Sequence, residues 1–446
     1  MATKHKLIRG ALILTSAGFI SRFMGFFFRI FLSHAFGEEN VGLYQLVFPV
    51  YALCLSVSTS GIQTALSRTV ARKISLNRPQ EARSVLWSGL FITVLLSLIE
   101  ILIIQQNAEG IALRFLGDAR CTELLIIITY ALPCAAVHSC ICGYCYGVQQ
   151  ARIPAVSQLI EQTVRILSVV LLFFLLQYQG STPSVSLAVA GVVIGEFASA
   201  LYSSRTLPGT GKSGSIPKFS SMRTGAAELI PLSLPLTANR TAVTLLQSIE
   251  AASIPACLKL YTHSTSEALI LYGVLTGMAL PCILFPSAVT NSVGTMLMPA
   301  VAEKQAAGKR SDIVRLIRKT AGSCFILGLA CCLFFLLFGS FIGRFLFHSE
   351  TAGRFIMTLA WICPFLYTNS AMLSTINGLG KTAYTFFINS AGLLIRIAGV
   401  FLAIPGFGIQ GYLWGLLASQ AVVSLLSAAV LCAQIKAPKE LSASQS

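Results

Sequence analysis

The stretch Arg9–His34, RGALILTSAGFISRFMGFFFRIFLSH, decides the fold. It is apolar over more than the ~20 residues that a helix needs to cross a bilayer. Two arginines nonetheless stand inside it, Arg22 and Arg29. They are seven residues apart and so leave a helix on nearly the same side. Thr15, Gly18, Arg22, Gly25 and Arg29 follow spacings of 3, 4, 3 and 4, one small and polar stripe on a helix of Leu, Ile, Phe and Met. A charge at bilayer depth costs about 3 kcal/mol or more and normally faces a bundle interior or a wet cavity. For Arg22, near mid-span, a cavity is the expectation. Arg29 has two readings, a cavity wall or a side chain snorkelling to the headgroups.

The rest of the chain agrees with a membrane reading. Of 446 residues, 55% are hydrophobic and 11% charged, and the mean hydropathy is +0.77. This excludes an ordinary soluble domain. The formal net charge of +16 would suggest nucleic acid in a soluble protein. Here it lies in short loops between apolar runs, so it reads as a topology signal and an attraction to anionic lipid, and no nucleic-acid partner is expected. The start of the chain, with Lys4, Lys6 and Arg9 before an apolar run, imitates a signal peptide. No small-residue cleavage site follows, and the expectation is a retained first span. Most of the thirteen cysteines lie singly in apolar runs, and Cys140-Ile-Cys142-Gly-Tyr-Cys145 has no matching His/Cys cluster. They read as helix-packing residues, and neither a metal site nor a cofactor is expected.

Twelve apolar segments can be marked, near 9–34, 41–67, 84–106, 122–148, 154–177, 184–205, 224–249, 268–298, 320–343, 354–378, 383–404 and 410–434. With the N-terminus placed in the cytoplasm, most Lys and Arg residues fall on the cytoplasmic side, and only Arg114, Arg120, Lys259, Arg344 and Arg354 fall outside. The asymmetry predicts both termini in the cytoplasm. The expected organisation is an N-terminal six-helix lobe over 1–206, a Gly/Pro-rich cytoplasmic linker over 207–223, a C-terminal six-helix lobe over 224–435 and a cytoplasmic tail over 436–446. The cytoplasmic segment Glu303–Lys319 interleaves basic residues with Ile313, Val314, Leu316 and Ile317, as a surface helix or a solvated loop would.

The halves resemble each other. At one offset of 231 residues, Val70-Ala71 and Lys73 match Val301-Ala302 and Lys304, Pro133 matches Pro364, Gly147 matches Gly378, and Arg165 matches Arg396. With a shorter loop in the second half, Gly191 matches Gly415. Six spans per half give both halves the same orientation, related by an axis along the membrane normal.

Polar residues recur at helical spacing in four spans. The fifth span opens at Pro154 and aligns Gln158, Glu161, Gln162 and Arg165. Glu161 lies four before Arg165, the favourable order for an intrahelical pair, so this pair either neutralises itself or serves a ligand. In the duplicate span, Asn389 replaces Gln158, Gly392 stands at the acid position and Arg396 keeps the arginine. The seventh span aligns Ser233, Thr237, Arg240, Thr244 and Gln247 behind Pro231 and Pro235, which loosen the helix ladder. Arg22, Arg29, Arg165, Arg240 and Arg396, with Gln158, Glu161 and Asn389, are therefore the candidate cavity residues. Glu161 and Glu196 are the candidate ion or proton positions, Glu196 having packing against a neighbouring helix as its other reading. Surplus guanidinium charge suits an anion, because arginine grips phosphate bidentately and stays charged. Pyrophosphate on a lipid is the natural headgroup. No G-x-x-x-x-G-K-[ST] is present, so no ATPase activity is expected.

Several runs resemble a known family: Ser21-Arg22-Phe23-Met24-Gly25-Phe26; Phe36-Gly37-Glu38-Glu39-Asn40-Val41-Gly42-Leu43-Tyr44; Phe48-Pro49; Gly143-Tyr144 with Gln149 and Pro154; Ser157-Gln158 and Glu161-Gln162 with Arg165; Leu271-Tyr272-Gly273 with Gly277-Met278 and Pro281; and Pro299-Ala300. They are similar to the stage V sporulation protein B family of the multidrug/oligosaccharidyl-lipid/polysaccharide flippase superfamily, over nearly the whole chain. Two departures stand out, Cys142 where a basic residue is expected and Tyr146 where Gln is expected. The lipid II flippases of that superfamily carry two extra spans, and no candidate follows residue 434. The resemblance implies an all-α polytopic cell-membrane protein of about twelve helices, two six-helix lobes in a V, rocking between access states. It implies a flippase, not an enzyme, for polyprenyl-pyrophosphate-linked saccharide such as a peptidoglycan precursor of the spore cortex or envelope. The partners would be lipid-linked oligosaccharide, membrane lipids and a coupling Na+ or H+. A cation-coupled multidrug antiporter of the same fold is the alternative, and a membrane glycosyltransferase or polymerase is the second. Both are disfavoured by residue balance: the spans hold more arginines than acids, and the outside loops are short.

Overall fold

The computed structural model describes residues 2–207, 219–307 and 310–436. The Gly/Pro-rich part of the 207–223 linker, the tail beyond Lys436 and part of the basic segment at 303–319 lie outside the described residues. The described chain is all-helical and contains no strand.

Ten of its helices are long and apolar enough to cross a membrane, or eleven if a pair bent by 53°, Glu350–Ala360 and Cys363–Gly378, is one span. The first, Leu12–Ser75, has 64 residues. At ~1.5 Å per residue it would be some three times the ~30 Å of a bilayer core if straight. It is not straight, for Gly37 has φ 77 and ψ 168, a conformation open to glycine and costly for any residue with a Cβ. This break separates two of the twelve predicted segments; nine of the other ten each map onto one of the remaining helices or onto the bent pair, while 268–298 runs through Thr265–Leu284 and on into the separate helix Ser287–Ala306. The protein is thus an all-α, multi-pass membrane protein.

By packing, the chain divides into two compact units, Met1–Ala256 with Thr265–Gly273, and Cys257–Ser264 with Val274–Ser446. The first contains α1 (Ala2–Leu55), α2 (Gly61–Ser75), α3 (Pro79–Ile111), α4 (Cys121–Thr129), α5 (Ala131–Gly147), α6 (Arg152–Tyr178), α7 (Ser186–Thr206), most of α8 (Phe219–Thr262) and α9 (Thr265–Gly273). Its core joins Ile62, Leu66 and Val70 of α2, Val85 and Leu86 of α3, Cys140 and Tyr144 of α5, and Leu229 of α8. Three contacts fix α8 there. A Cβ on Gly225 would fall 2.6 Å from Ser88 Oγ, Ser248 Oγ donates to the Pro49 carbonyl at 2.8 Å, and Glu228 pairs with Lys73 at 2.7 Å. At another corner the loop residue Arg120 bridges Asp118 and Glu39, both at 2.8 Å. The Asp118 carboxylate, with Glu39 behind it, holds that guanidinium above its usual range.

The second unit contains α10 (Leu280–Leu284), α11 (Ser287–Ala306), α12 (Arg310–Leu346), α13 (Glu350–Ala360), α14 (Cys363–Gly378), α15 (Thr382–Ala398), α16 (Ile404–Phe407) and α17 (Ile409–Lys436). Its core joins Leu297 and Val301 of α11, Ile313 and Ile317 of α12, Met372 and Ile376 of α14, Ile388 of α15 and Val423 of α17. Ile313 and Ile317 are therefore core residues, and the basic segment's described C-terminal part is the start of α12.

The contacts repeat between units as the sequence does. In the first, a Cβ on Gly147 would meet Val70 Cβ at 2.7 Å; in the second, a Cβ on Gly378 would meet Val301 Cβ at 3.1 Å. Gly147/Val70 and Gly378/Val301 are the pairs matched at the 231-residue offset. Likewise Gly191 of α7 packs against α6 at Val169, and Gly415 of α17 packs against Gly399, just past the end of α15. Equivalent positions in the two sequence halves make equivalent helix contacts, which is what a duplication leaves behind.

Candidate functional site

One stripe of α1 and one face of α6 enclose a cavity of about 410 Å³ in the first unit. Ahead of the Gly37 break α1 contributes Ser21, Arg22, Gly25, Phe28, Arg29 and Leu32; after it, Tyr44, Gln45 and Phe48. The numbers 22, 25, 29 and 32 are the turns of one helical face. From α6 come Gln162 and Arg165. Gly25 sets the approach, since a Cβ there would lie 3.3 Å from Gln162 Nε2. The helices are held together further along by Phe173 of α6, whose ring meets those of Phe31 and Phe36 edge-on at 5.5 Å each.

Three guanidinium groups thus share one chamber. Arg165 is paired with Glu161, one turn earlier on α6. Among the described residues no carboxylate lies within ion-pair distance of Arg22, which is exposed to the chamber. Arg29 is half-buried in the wall, where the sequence left both a cavity role and snorkelling open. Amide, phenol and guanidinium groups facing a common space can receive the oxygens of an anion from several directions.

The chain matches the family model described as polysaccharide biosynthesis protein over residues 7–305. It belongs to that family. Stage V sporulation protein B of Bacillus subtilis (strain 168) is 28% identical over 435 residues, covering 96% of this chain and 84% of that protein. Lipid II flippase MurJ of the same strain is 23% identical over 424 residues, covering 88% and 76%. Among solved structures, an inward-facing multidrug resistance MATE family transporter of the MOP superfamily superimposes with a TM-score of 0.71 at 16% identity, covering 97% of this chain and all of the other. The fold expected from the resemblance, that of the MOP superfamily, is therefore the observed one.

In this polysaccharide biosynthesis family member a second polar cluster lies behind Arg165. His138 of α5, Glu161 of α6 and Glu196 of α7 place one polar atom each within 4.8 Å of one another. His138 Nδ1 is 3.6 Å from Glu196 Oε2, and the Tyr51 hydroxyl donates to Glu196 Oε1 at 3.3 Å. Helix α7 comes this close because of its glycines: a Cβ on Gly195 would fall 2.8 Å from the Glu161 carbonyl and 3.1 Å from Arg165 Cβ.

The remaining candidates are scattered. Gln158 is exposed and outside the cavity wall. Arg240 is exposed on α8, also in the first unit, and does not line this cavity. Asn389, exposed, and Arg396, half-buried, belong to α15 of the second unit. Sequence reasoning passed over Tyr44, Gln45 and His138. The first two lie past the Gly37 break, beyond the reach of a stripe drawn on one helix. His138 had a signal, an ionisable side chain inside an apolar span.

Proposed function

We propose that this protein is a flippase for a lipid-linked saccharide whose headgroup reaches the membrane through an anionic, pyrophosphate-type link. The observation that supports it most is the chamber of Arg22, Arg29 and Arg165, where three guanidinium groups stand against two nearby carboxylates, Glu161 and Glu196. A diphosphate carries the charge this surplus lacks and the oxygens that arginine holds bidentately. The kinship with stage V sporulation protein B and with a lipid II flippase favours a peptidoglycan-type saccharide, in the spore cortex or the envelope. Under this reading both termini are cytoplasmic, 1–206 and 224–435 act as two six-helix lobes although residues 224–256 and 265–273 pack with the first unit, and Arg240 and Arg396 join the path as the headgroup crosses. The lipid stays in the bilayer throughout, with Na+ or H+ as the coupling ion. Exporters of organic cations would want the opposite charge at this chamber. A membrane glycosyltransferase would want a catalytic acid at a donor site.

The test is translocation in proteoliposomes, using a polyprenyl-pyrophosphate disaccharide made accessible to an external enzyme only after flipping. Arg22→Ala should abolish headgroup translocation while leaving the melting temperature intact. Translocation unchanged in that variant removes the chamber from the mechanism. Ethidium efflux in a pump-deficient host, with no lipid translocation, replaces the reading with drug export.

A further inference from the structure

The hydrogen bonds around His138 count protons. Its Nε2 lies 2.9 Å from Ser157 Oγ and its Nδ1 3.2 Å from Ser199 Oγ. Each serine hydroxyl has one proton to give, and each gives it to backbone: Ser157 to the Pro154 carbonyl at 2.9 Å, Ser199 to the Glu196 carbonyl at 2.9 Å. Both serine oxygens are thus left as acceptors toward the imidazole. A neutral imidazole has one N–H and satisfies one of them; an imidazolium satisfies both. On the Nδ1 side stands Glu196, of which only 8% is exposed. Its Oε2 is buried without a hydrogen-bond partner and is 3.6 Å from that nitrogen.

We infer that His138 is a half-buried proton-binding site, seated between Ser157, Ser199 and Glu196, and that its proton sets how strongly the Arg22–Arg29–Arg165 chamber holds an anion. The proton site stands on this geometry; its effect on the anion rests on the flippase reading. The charges explain the link. Glu161, Glu196, Arg165 and His138 form one largely buried group, neutral when both carboxyls are ionised and His138 carries its proton. Without it the group holds a net negative charge against the wall where the anion would sit. In a poorly screened interior that charge opposes the anion. By linkage, proton and anion then favour each other's binding reciprocally.

Helix α7 brings Glu196 to His138, α6 brings Glu161 with Arg165 beyond it, and α1 brings Tyr51. On α5 itself Cys134 and Cys142 are nearest. Glu100 of α3 faces Cys54 and Ser58 instead. Helices α2 and α4 bring no charged group recorded against His138 among the described residues.

Two measurements on the full chain in nanodiscs test this. The first is 13Cε1 NMR of labelled histidine, the His138 signal being assigned by its loss in His138→Gln. It should report imidazolium at neutral pH, with proton affinity at least tenfold weaker in Glu196→Gln. A neutral imidazole at pH 7, an affinity untouched by Glu196→Gln, or a signal moved by sodium at constant pH each overturns the proton site. The second is binding of inorganic pyrophosphate from pH 7 to 10, wild type against His138→Gln so that titration of the probe cancels. The wild-type affinity should fall about tenfold more over that range. Equal pH dependence in both overturns the link to the anion, and absence of pyrophosphate binding at every pH overturns the anion-binding chamber itself. In both cases the NMR result alone decides the proton site.

Discussion

Arg165 is paired with Glu161 one turn behind it, while its guanidinium lines the chamber that Arg22 and Arg29 share. One side chain therefore answers to an internal carboxylate and to any anion in the chamber. Glu161→Gln removes the competitor and adds a unit of positive charge to the wall. Binding of pyrophosphate should tighten by about tenfold, equivalent to ~1.4 kcal/mol. Turnover should slow, because an anion held more firmly leaves more slowly. Calorimetric titration with pyrophosphate checks the first, and the proteoliposome assay the second. An unchanged affinity would mean that Arg165 never exchanges partners.

The chamber is wide partly because α1 has no side chain at Gly25. A Cβ there would only touch Gln162 Nε2 at 3.3 Å, so Gly25→Ala should be tolerated. Gly25→Leu places four carbons in a space of about 410 Å³ between Arg22 and Arg29. Pyrophosphate binding should fall at least tenfold while thermal stability changes by less than about 1.5 kcal/mol, since the added group enters a void and overpacks no core. Normal binding in Gly25→Leu would place the anion elsewhere.

The apolar segments were legible because hydropathy reports a property of each segment alone, its transfer from water. The Arg22–Arg29 stripe was legible because spacing on one helix fixes direction. Which residues meet across helices was not, because that depends on how each helix is rotated and how closely it approaches. Gly25, Gly191 and Gly195 set those approaches, and in sequence they look like any other glycine in a span. The Gly37 break hid Tyr44 and Gln45 for the same reason. His138, Glu161 and Glu196 come from three helices and have no common spacing to read.

Lys73 is 8% exposed and is held by Glu81 at 2.6 Å and Glu228 at 2.7 Å, so one ammonium joins α2 to both α3 and α8. Arg72 adds a second, more exposed link to Glu228 at 3.0 Å. Lys73→Ala removes the ammonium that both carboxylates share, leaving Glu228 to Arg72 and Glu81 to Arg78, and should cost about 1–3 kcal/mol, the range for losing a largely buried polar partner. Glu81 is nearly half exposed and screened by solvent, so Glu81→Gln should lower the melting temperature less than Lys73→Ala does. Thermal melts of the three proteins in detergent would rank them. Equal melting of Lys73→Ala and wild type would deny the lysine its role in fixing α8.

The repeated glycines allow the duplication to be tested as energetics. Gly147 against Val70 and Gly378 against Val301 are the same contact in two units, yet the first is tighter, 2.7 Å against 3.1 Å for an added Cβ. At 2.7 Å something must move, and the atom met is the Cβ of a buried, β-branched side chain that has one favoured rotamer in a helix. Helices α2 and α5 would have to separate. At 3.1 Å from Val301 the gap is less severe, but Met298 carbonyl oxygen is 2.6 Å from the same point, and backbone cannot rotate away. Both Gly147→Ala and Gly378→Ala should therefore destabilise, by about 1–3 kcal/mol each, the usual range for overpacking. The compensating changes should differ. Val70→Ala removes Cγ1, also 2.7 Å from the added atom, but keeps the Cβ and leaves the Ser67 carbonyl oxygen at 2.9 Å, so it should recover only part of the Gly147→Ala loss. Val301→Ala leaves the Met298 carbonyl in place and should recover little of the Gly378→Ala loss. A double-mutant cycle on melting in each unit measures both recoveries, and equal recovery in the two would show that the second contact is governed by the valine after all.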